Sequence, residues 1–277
     1  MKALKKAARR LSNRHKSSAV KLGFDGEKYK AASTHQKEWG AKLIAELKLS
    51  GTEHVLDLGC GDGALTSQLA SLVPKGRVVG IDFSQSMIEV ARQHAQSNLS
   101  FVLLDIRQLA IDNEFDVVFS NATLHWIKDH ENLLRRVFCA LKPNGFLRFN
   151  FAGDGNCKTF IQVVQEVMAS SHYADCFREF DWPYYMPKME DYRALAGQID
   201  FSELRVWAEN ADRFFPDTDA MIRWLDQPSL LPFLPCVAAT QRDAFRADVV
   251  GRMIRETRSE DGRCFESFRR INIFARR

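Results

Sequence analysis

The sequence predicts an α/β fold, a mostly parallel sheet with helices on both faces. Three observations carry that prediction. A short apolar run at 54–58 breaks into a turn with Gly59, Gly61 and Gly63, and Leu65, Leu69, Ala70, Leu72 and Val73 then recur at helical spacing. Further short apolar runs follow at 77–82, 101–104 and 115–120, with helical segments between them. Near the end, residues 268–275 alternate in the manner of a half-buried strand.

The elements can be justified in order. Ser33 or Thr34 is placed to cap a helix through Trp39, Leu43, Ile44 and Leu47, which stops near Ser50-Gly51. Strand one is expected at 53–58 and its helix at 63–73, ended by the turn Pro74-Lys75-Gly76. Strand two closes on Asp82, and Ser84 caps a helix carrying Met87, Ile88, Val90 and Ala91. Strands three and four follow at 101–104 and 115–120, then a helix at 131–142, and Pro143-Asn144-Gly145 turns into strand five at 146–151. The connection at 153–202 is long for one crossover. It holds Phe160, Ile161, Val164 and Val167 at helical spacing, an aromatic patch from Phe177 to Tyr185, and a helix at 189–199. Strand six is expected at 203–208, followed by a second helical excursion over about 210–266 with helices near 221–225 and 245–253.

The glycine turn narrows the ligand. Glycines let backbone approach a ligand closely, and the helix start offers free N–H groups. The spacing Gly59-x-Gly61-x-Gly63 lacks the wider gap of the dinucleotide fingerprint, and no Gly-Lys-Ser/Thr follows, which excludes a P-loop. Asp57 at the strand end would repel a pyrophosphate and suits a cationic or hydroxyl-bearing ligand.

The run Val55-Leu56-Asp57-Leu58-Gly59-Cys60-Gly61-Asp62-Gly63 resembles motif I of the class I S-adenosylmethionine-dependent methyltransferases. Gly80-Ile81-Asp82, Leu104-Asp105-Ile106, residues 115–121 and Leu141-Lys142-Pro143-Asn144-Gly145-Phe146 agree in order, so the resemblance covers roughly 50–151. It implies a Rossmann-like seven-stranded sheet with the last strand antiparallel and helical lid insertions over the strand ends. It also implies S-adenosylmethionine as cofactor, with Tyr29, Asp57, Gly59, Gly61, Asp82, Phe83, Met87, Asp105, Ile106 and Asn121 around it. Asp82 would accept both ribose hydroxyls, Met87 would pack on the adenine, and Asp105-Ile106 would meet the adenine amino group.

The loop Asn121-Ala122-Thr123-Leu124-His125-Trp126 stands where this superfamily presents the transferred methyl. It lacks the Asn/Asp-Pro-Pro-Tyr/Phe pattern of base N-methylating enzymes. It resembles instead the trans-aconitate, malonyl-carrier-protein and juvenile hormone acid methyltransferases, which implies O-methylation of a small carboxylic acid. Gln36 and Trp126 match substrate-lining positions of that group, and His125 is the candidate for proton transfer. Arg223, Arg269 and Arg270 are candidate carboxylate anchors, because guanidinium pairs bidentately with carboxylate. An ionised carboxylate needs no general base, in keeping with the absence of a clear catalytic dyad.

Composition agrees with a globular enzyme: 277 residues, 45% hydrophobic and 27% charged, with 20 Phe. Net charge is +4, but residues 1–16 carry seven basic side chains and no acid, so the rest is mildly acidic and no nucleic-acid partner is indicated. No run is long and apolar enough for a membrane span. The basic tail reads as a solvated terminus, with an acidic surface or a transit function as alternatives. Six scattered cysteines without C-x-x-C or zinc spacing suit a reducing, cytoplasmic setting and offer no metal site. The expected organisation is a tail at 1–20, a helical lead-in at 21–50, a cofactor-binding core at 51–151, and the rest of the sheet with its lid at 152–277. Oligomeric state is not legible. Two other classes stay open: methyl transfer to nitrogen or carbon of another metabolite or of RNA, and a non-catalytic cofactor-binding domain.

Overall fold

A run of large and β-branched apolar residues holds as a central strand only where both of its faces are covered. The computed structural model describes residues 34–277, so the basic tail and Tyr29 lie outside the described residues. The strands are β1 (His54–Leu58), β2 (Arg77–Asp82), β3 (Leu99–Leu103), β4 (Phe115–Asn121), β5 (Leu141–Ala152), β6 (Glu203–Asn210), β7 (Arg213–Phe215), β8 (Cys264–Glu266) and β9 (Arg269–Arg276). The main sheet has seven strands in the order β3-β2-β1-β4-β5-β9-β6. Strands β1 to β5 are mutually parallel, and β9 runs antiparallel between β5 and β6.

The helices are α1 (Thr34–Ala45), α2 (Ala64–Leu72), α3 (Gln85–Ala91), α4 (His130–Ala140), α5 (Lys158–Met168), α6 (Met189–Ala196), α7 (Thr218–Trp224) and α8 (Arg242–Thr257). Successive strand residues point to opposite faces, and the packing follows that alternation. Leu56, Val79 and Val118 join Leu134 and Val137 of α4 and Tyr192 of α6. Val55, Val78 and Val117 join Leu43 of α1, Leu69 of α2 and Ile88 of α3. Helices therefore cover both faces. The chain steps outward from β1 to β3 and then returns beside β1 as β4. That reversal opens a crevice at the carboxyl ends of β1 and β4, where ligands of open α/β sheets bind.

The lid has a core of its own, with Phe160 and Val164 of α5, Trp224 of α7, Phe245 and Met253 of α8, and Phe233. Trp39 of α1 belongs to it as well. The lid is tied to the sheet through Glu266. This buried carboxylate accepts the backbone N–H groups of Thr159 and Phe160 at 3.2 and 2.9 Å, at the start of α5. Negative charge there complements the helix dipole.

Three features differ from the sequence reading. Strand β5 begins at Leu141, which pairs with Phe115 before the chain bulges around Asn144 (φ +67°) and resumes pairing at Phe146. The small sheet of β7 and β8 was not expected, because each strand has three residues and its partner is far away in sequence. The polar face of β9 is buried: Arg270 and Asn272 lie beside Arg148 and Asn150 of β5, none more than 4% exposed. Arg148 Nη1 and Asn150 Nδ2 both donate to Asn272 Oδ1 at 3.0 Å, and Asn272 Nδ2 donates to Glu209 at 3.1 Å. Glu46 at the end of α1 pairs with Arg148 at 2.8 Å. Among the described residues no helix is long and apolar enough to cross a membrane.

Candidate active site

The loop after β1 is shaped by backbone conformations that favour glycine. Gly59, Gly61 and Gly63 have φ of +73°, +52° and +81°. A Cβ at Gly59 would lie 2.1 Å from Thr123 Cγ2, so the loop after β4 closes directly on the glycine turn. The N–H groups of Gly59 and Cys60 both donate to Ile81 O, at 2.8 and 3.0 Å, which brings the turn against the end of β2. Lys37 of α1 reaches the same turn through an ion pair with Asp62 at 2.7 Å.

Above this turn lies a cavity of about 540 Å³. Gly59, Gly61, Asp82, Phe83, Met87 and Ile106 line one part of it. Asp82 is held in place: Oδ2 accepts from Gly61 N at 3.1 Å and Oδ1 from Ser84 N at 2.8 Å. Ser84 Oγ in turn accepts from Met87 N at 3.3 Å, the expected cap of α3. Burial pushes the Asp82 carboxyl up to about 6, against the lowering effect of those N–H groups. Phe83 is 46% exposed, an apolar surface set beside the cavity. Asp105 also lines the cavity and is paired with Arg107 at 2.5 Å.

Asp57 and Asn121 are placed differently. Asp57 is buried behind the turn and is not part of the cavity wall; it accepts from Thr66 Oγ1 of α2 at 2.7 Å. Burial pushes its carboxyl up to about 7. Its position suits it to hold the loop, not to touch a ligand. Asn121 lies at the end of β4, where Nδ2 donates to the backbone carbonyl of Gln36 at 2.8 Å. Asn121 Oδ1 and Gln36 Oε1 are buried without a hydrogen-bond partner among the described residues. Two such acceptors so close in the fold are costly unless a ligand supplies the donor.

The turn after β4 carries His125 and Trp126 into the cavity wall. It is fixed from both sides. His130 Nε2 faces Leu124 O at 2.9 Å and must donate to it, which leaves Nδ1 to accept from Tyr192 OH at 3.0 Å. On the lid side Tyr185 N donates to His125 O at 2.8 Å, and the Tyr184 ring packs 4.8 Å from Trp126 and 6.1 Å from His125. Burial first, and then the charge of Arg270, hold the His125 imidazole down at about 3. A group of that basicity is poorly matched to proton transfer near neutral pH. The surroundings of His125 therefore favour a neutral ring that shapes the wall over the proton-transfer role read from sequence.

The three candidate anchors part company. Arg223 is exposed on α7. Arg269 is paired with Asp212. Arg270 is 3% exposed and lines the cavity. Sequence reasoning also missed His35, Trp39, Phe160, Trp224 and Phe268 as wall residues. Trp39, Phe160 and Trp224 carried only a core signal, since cavity walls and packed cores use the same aromatic residues.

The donor set fits a sulfonium nucleoside: acidic groups around a glycine turn, an apolar slot at Phe83, Met87 and Ile106, and a carboxylate poised for paired hydroxyls. Comparison with known proteins agrees. The family model described as "Methyltransferase domain" matches residues 49–193. Trans-aconitate 2-methyltransferase of Escherichia coli (strain 55989 / EAEC) is 30% identical over 85% of this chain and 91% of its own length. The enzyme of that name from Acidovorax ebreus is 27% identical over 92% of this chain and 98% of its own. Among solved structures, the YcgJ protein of Bacillus subtilis superposes with a TM-score of 0.60 at 16% identity, covering 87% of this chain and 98% of its own. Phosphoethanolamine N-methyltransferase 2 of Haemonchus contortus, in complex with S-adenosyl-L-methionine, gives 0.58 at 19% identity, covering 97% of this chain and 59% of its own.

Proposed function

The chain belongs to the S-adenosylmethionine-dependent methyltransferases, and from that premise we propose that it methylates an oxygen of a small carboxylic acid. The observation that carries the reading is Arg270, a buried guanidinium in the wall of a mainly apolar cavity that includes several aromatic rings. Guanidinium is the side chain best matched to a carboxylate. The matched relatives are named for an acid acceptor, which supports the same reading.

In this reading Gly59 and Gly61 admit the cofactor backbone-close, Asp82 receives its ribose hydroxyls, and Phe83, Met87 and Ile106 clasp its adenine beside Asp105. Gln36 and Asn121 offer oxygen acceptors nearby, and Trp126 walls the acceptor site. Bound S-adenosylmethionine supplies a methyl on a sulfonium: an oxygen lone pair of the acceptor forms the new C–O bond as C–S breaks, the bonding pair leaves on sulfur, and carboxylate and sulfonium charges cancel without a proton transfer. The chain's own task is alignment and exclusion of water, and orientation alone supplies about 7–11 kcal/mol when geometry is right. The aromatic lid residues Tyr184, Phe180 and Trp224 close that environment.

One observation favours an amine acceptor instead, the acidic side chains Glu179 and Asp181 on the cavity wall. An amine reacts only as its free base and would need a proton acceptor, which the His125 imidazole at about 3 supplies poorly. Incubation of the full chain with S-adenosylmethionine and panels of carboxylic acids, amines and phenols, read by mass spectrometry, tests the proposal. Methyl esters are the expected product; turnover on amines with no ester from any acid would refute it.

A further inference from the structure

The lid holds a second cavity, of about 340 Å³, lined by Gln165, Met168 and Ala169 at the end of α5 and by Ala174, Phe177 and Trp182 beyond it. Among the described residues Phe180 is the one that lines both this cavity and the first. Its ring is clamped by aromatic neighbours that belong to each. Phe177 and Trp182, walls of the second cavity, pack edge-on to it with ring centroids 5.4 and 6.3 Å away. Phe233 lies 5.3 Å away and meets Phe160, a wall of the first cavity, at 6.1 Å. The backbone is held as well: Phe180 N donates to Phe177 O at 3.1 Å, and the next residue, Asp181, pairs with Lys128 beside the turn after β4. Aromatic contacts on several sides, in a close-packed lid, hold a ring in one place. Phe180 is therefore a fixed partition between two spaces.

We infer that Phe180 sets the size limit of the methyl acceptor, by closing the first cavity against the second. This rests on the first cavity being the acceptor site, whatever the acceptor's head group. Apart from the residues assigned to the cofactor, that cavity has apolar walls at Phe160, Ile161, Trp224 and Pro232, so an apolar acceptor body gains from each methylene buried there. The gain ends where the body meets a ring that its neighbours hold in place. Beyond the ring the second cavity is again mostly apolar, with Met168, Ala169, Ala174, Phe177 and Trp182 around Gln165, and it suits the same kind of chain. Its rim is exposed at Gln165, Ala169 and Ala174, so a chain that passed the ring would reach solvent. Removal of one side chain thus joins two compatible spaces.

Steady-state kinetics of the full chain across a straight-chain series of carboxylic acids test the inference. Wild-type kcat/KM is expected to rise about fourfold per added methylene, from the transfer free energy of a methylene, and then to fall at a definite length. Phe180→Ala is expected to move that limit to longer acids, and Phe180→Leu to move it the same way by less, which keeps the test open if the alanine variant does not fold. Ala169→Trp refills the second cavity from its exposed rim. Alone it is expected to leave the wild-type limit unchanged; combined with Phe180→Ala it is expected to restore the shorter limit. A merely structural role for Phe180 would lower activity at every length alike and would not respond to Ala169→Trp. Calorimetry of the same acids on the chain saturated with S-adenosylhomocysteine reads the limit without turnover. A limit unmoved in both Phe180 variants, a wild-type profile with no limit, or a wild-type limit altered by Ala169→Trp alone would overturn the inference and leave carboxylate methylation standing. Turnover of amines with no ester from any acid would instead overturn the carboxylate reading, and the same variants on straight-chain amines would still decide the role of Phe180.

Discussion

Arg270 lies over Trp39, its guanidinium carbon 4.6 Å from the ring centroid, while its Nε is bound to Asn150 at 2.9 Å. A strand near the sheet edge and the helix that precedes the first strand thus meet at one buried cation. Stacking and a fixed hydrogen bond leave the guanidinium little freedom, so its charge is presented to the cavity in a set orientation. Groups fixed in the same way shape the rest of the site and set what substitutions should do.

Gly59→Ala tests the glycine turn. The residue must hold φ +73° while its Cβ meets Thr123 at 2.1 Å. Backbone strain alone costs about 1–3 kcal/mol, and the Thr123 side chain has to move as well. Thermal denaturation should show that loss, and calorimetry should show S-adenosylmethionine binding reduced further than the stability loss explains.

Asp57→Asn should stabilise the protein at neutral pH. The carboxyl is raised from 3.8 to about 7 by burial, so the folded state binds a proton that the unfolded state releases. Its contribution therefore turns against folding as pH rises from the unfolded value toward about 7, and levels off above that. Asn can still accept from Thr66 Oγ1. Above that range chemical denaturation should show the variant more stable by a few kcal/mol, since each tenfold difference in proton affinity between the two states is worth about 1.4 kcal/mol. The advantage should vanish in acid, where wild type is protonated in both states.

Asp82 is expected to set the pH dependence of cofactor binding. Its carboxyl, pushed up to about 6 by burial, must be ionised to accept two hydroxyls. Affinity for S-adenosylmethionine should fall about tenfold per pH unit below that value. Asp82→Asn should weaken binding about tenfold to a hundredfold at neutral pH and abolish the dependence. Titration calorimetry across the range reads both.

His125→Asn separates wall from base. The imidazole stays neutral at all pH well above about 3. With an acid acceptor, wild-type kcat/KM should show no inflection from this residue between about pH 5 and 8. The variant should keep the same profile shape with a loss below about tenfold; a lost inflection would mark His125 as a proton carrier.

His130→Phe should loosen the turn that carries Trp126. The ring bridges Leu124 O and Tyr192 OH, and burial holds it at about 4, below its unfolded value of 6.5. Its contribution to stability is thus complete above the unfolded value and is lost as pH falls toward the folded one. The variant should lose about 1–3 kcal/mol at neutral pH, from orphaned buried partners, and less in acid. Tryptophan fluorescence near Trp126 should report the change.

Much of the scaffold was legible because its causes are local. Strand β2 was read at 77–82 and is observed as Arg77–Asp82, and Ser84 caps α3 as its residue type requires. A glycine with positive φ and a run buried on both faces leave their mark in adjacent residues. Strands β7 and β8 left none, since three residues cannot establish a period and the pairing joins 213–215 to 264–266. Placement of Asp57 behind the turn, and not in the cavity, was equally hidden: its environment is decided by Thr66 of α2 folding back over it.

From residue order alone came the order along the chain of the seven main-sheet strands and the helices, the glycine turn with its acidic neighbours, and the family. Tertiary structure alone chose among the arginines. Along β9 the side chains of Arg269 and Arg270 point to opposite faces, as in any strand. Which face becomes a cavity wall depends on β5 lying on one side, β6 on the other and Trp39 of α1 packed against it. Alternation is a property of neighbouring residues, but burial is a property of everything packed around them, and only the assembled sheet and lid supply it.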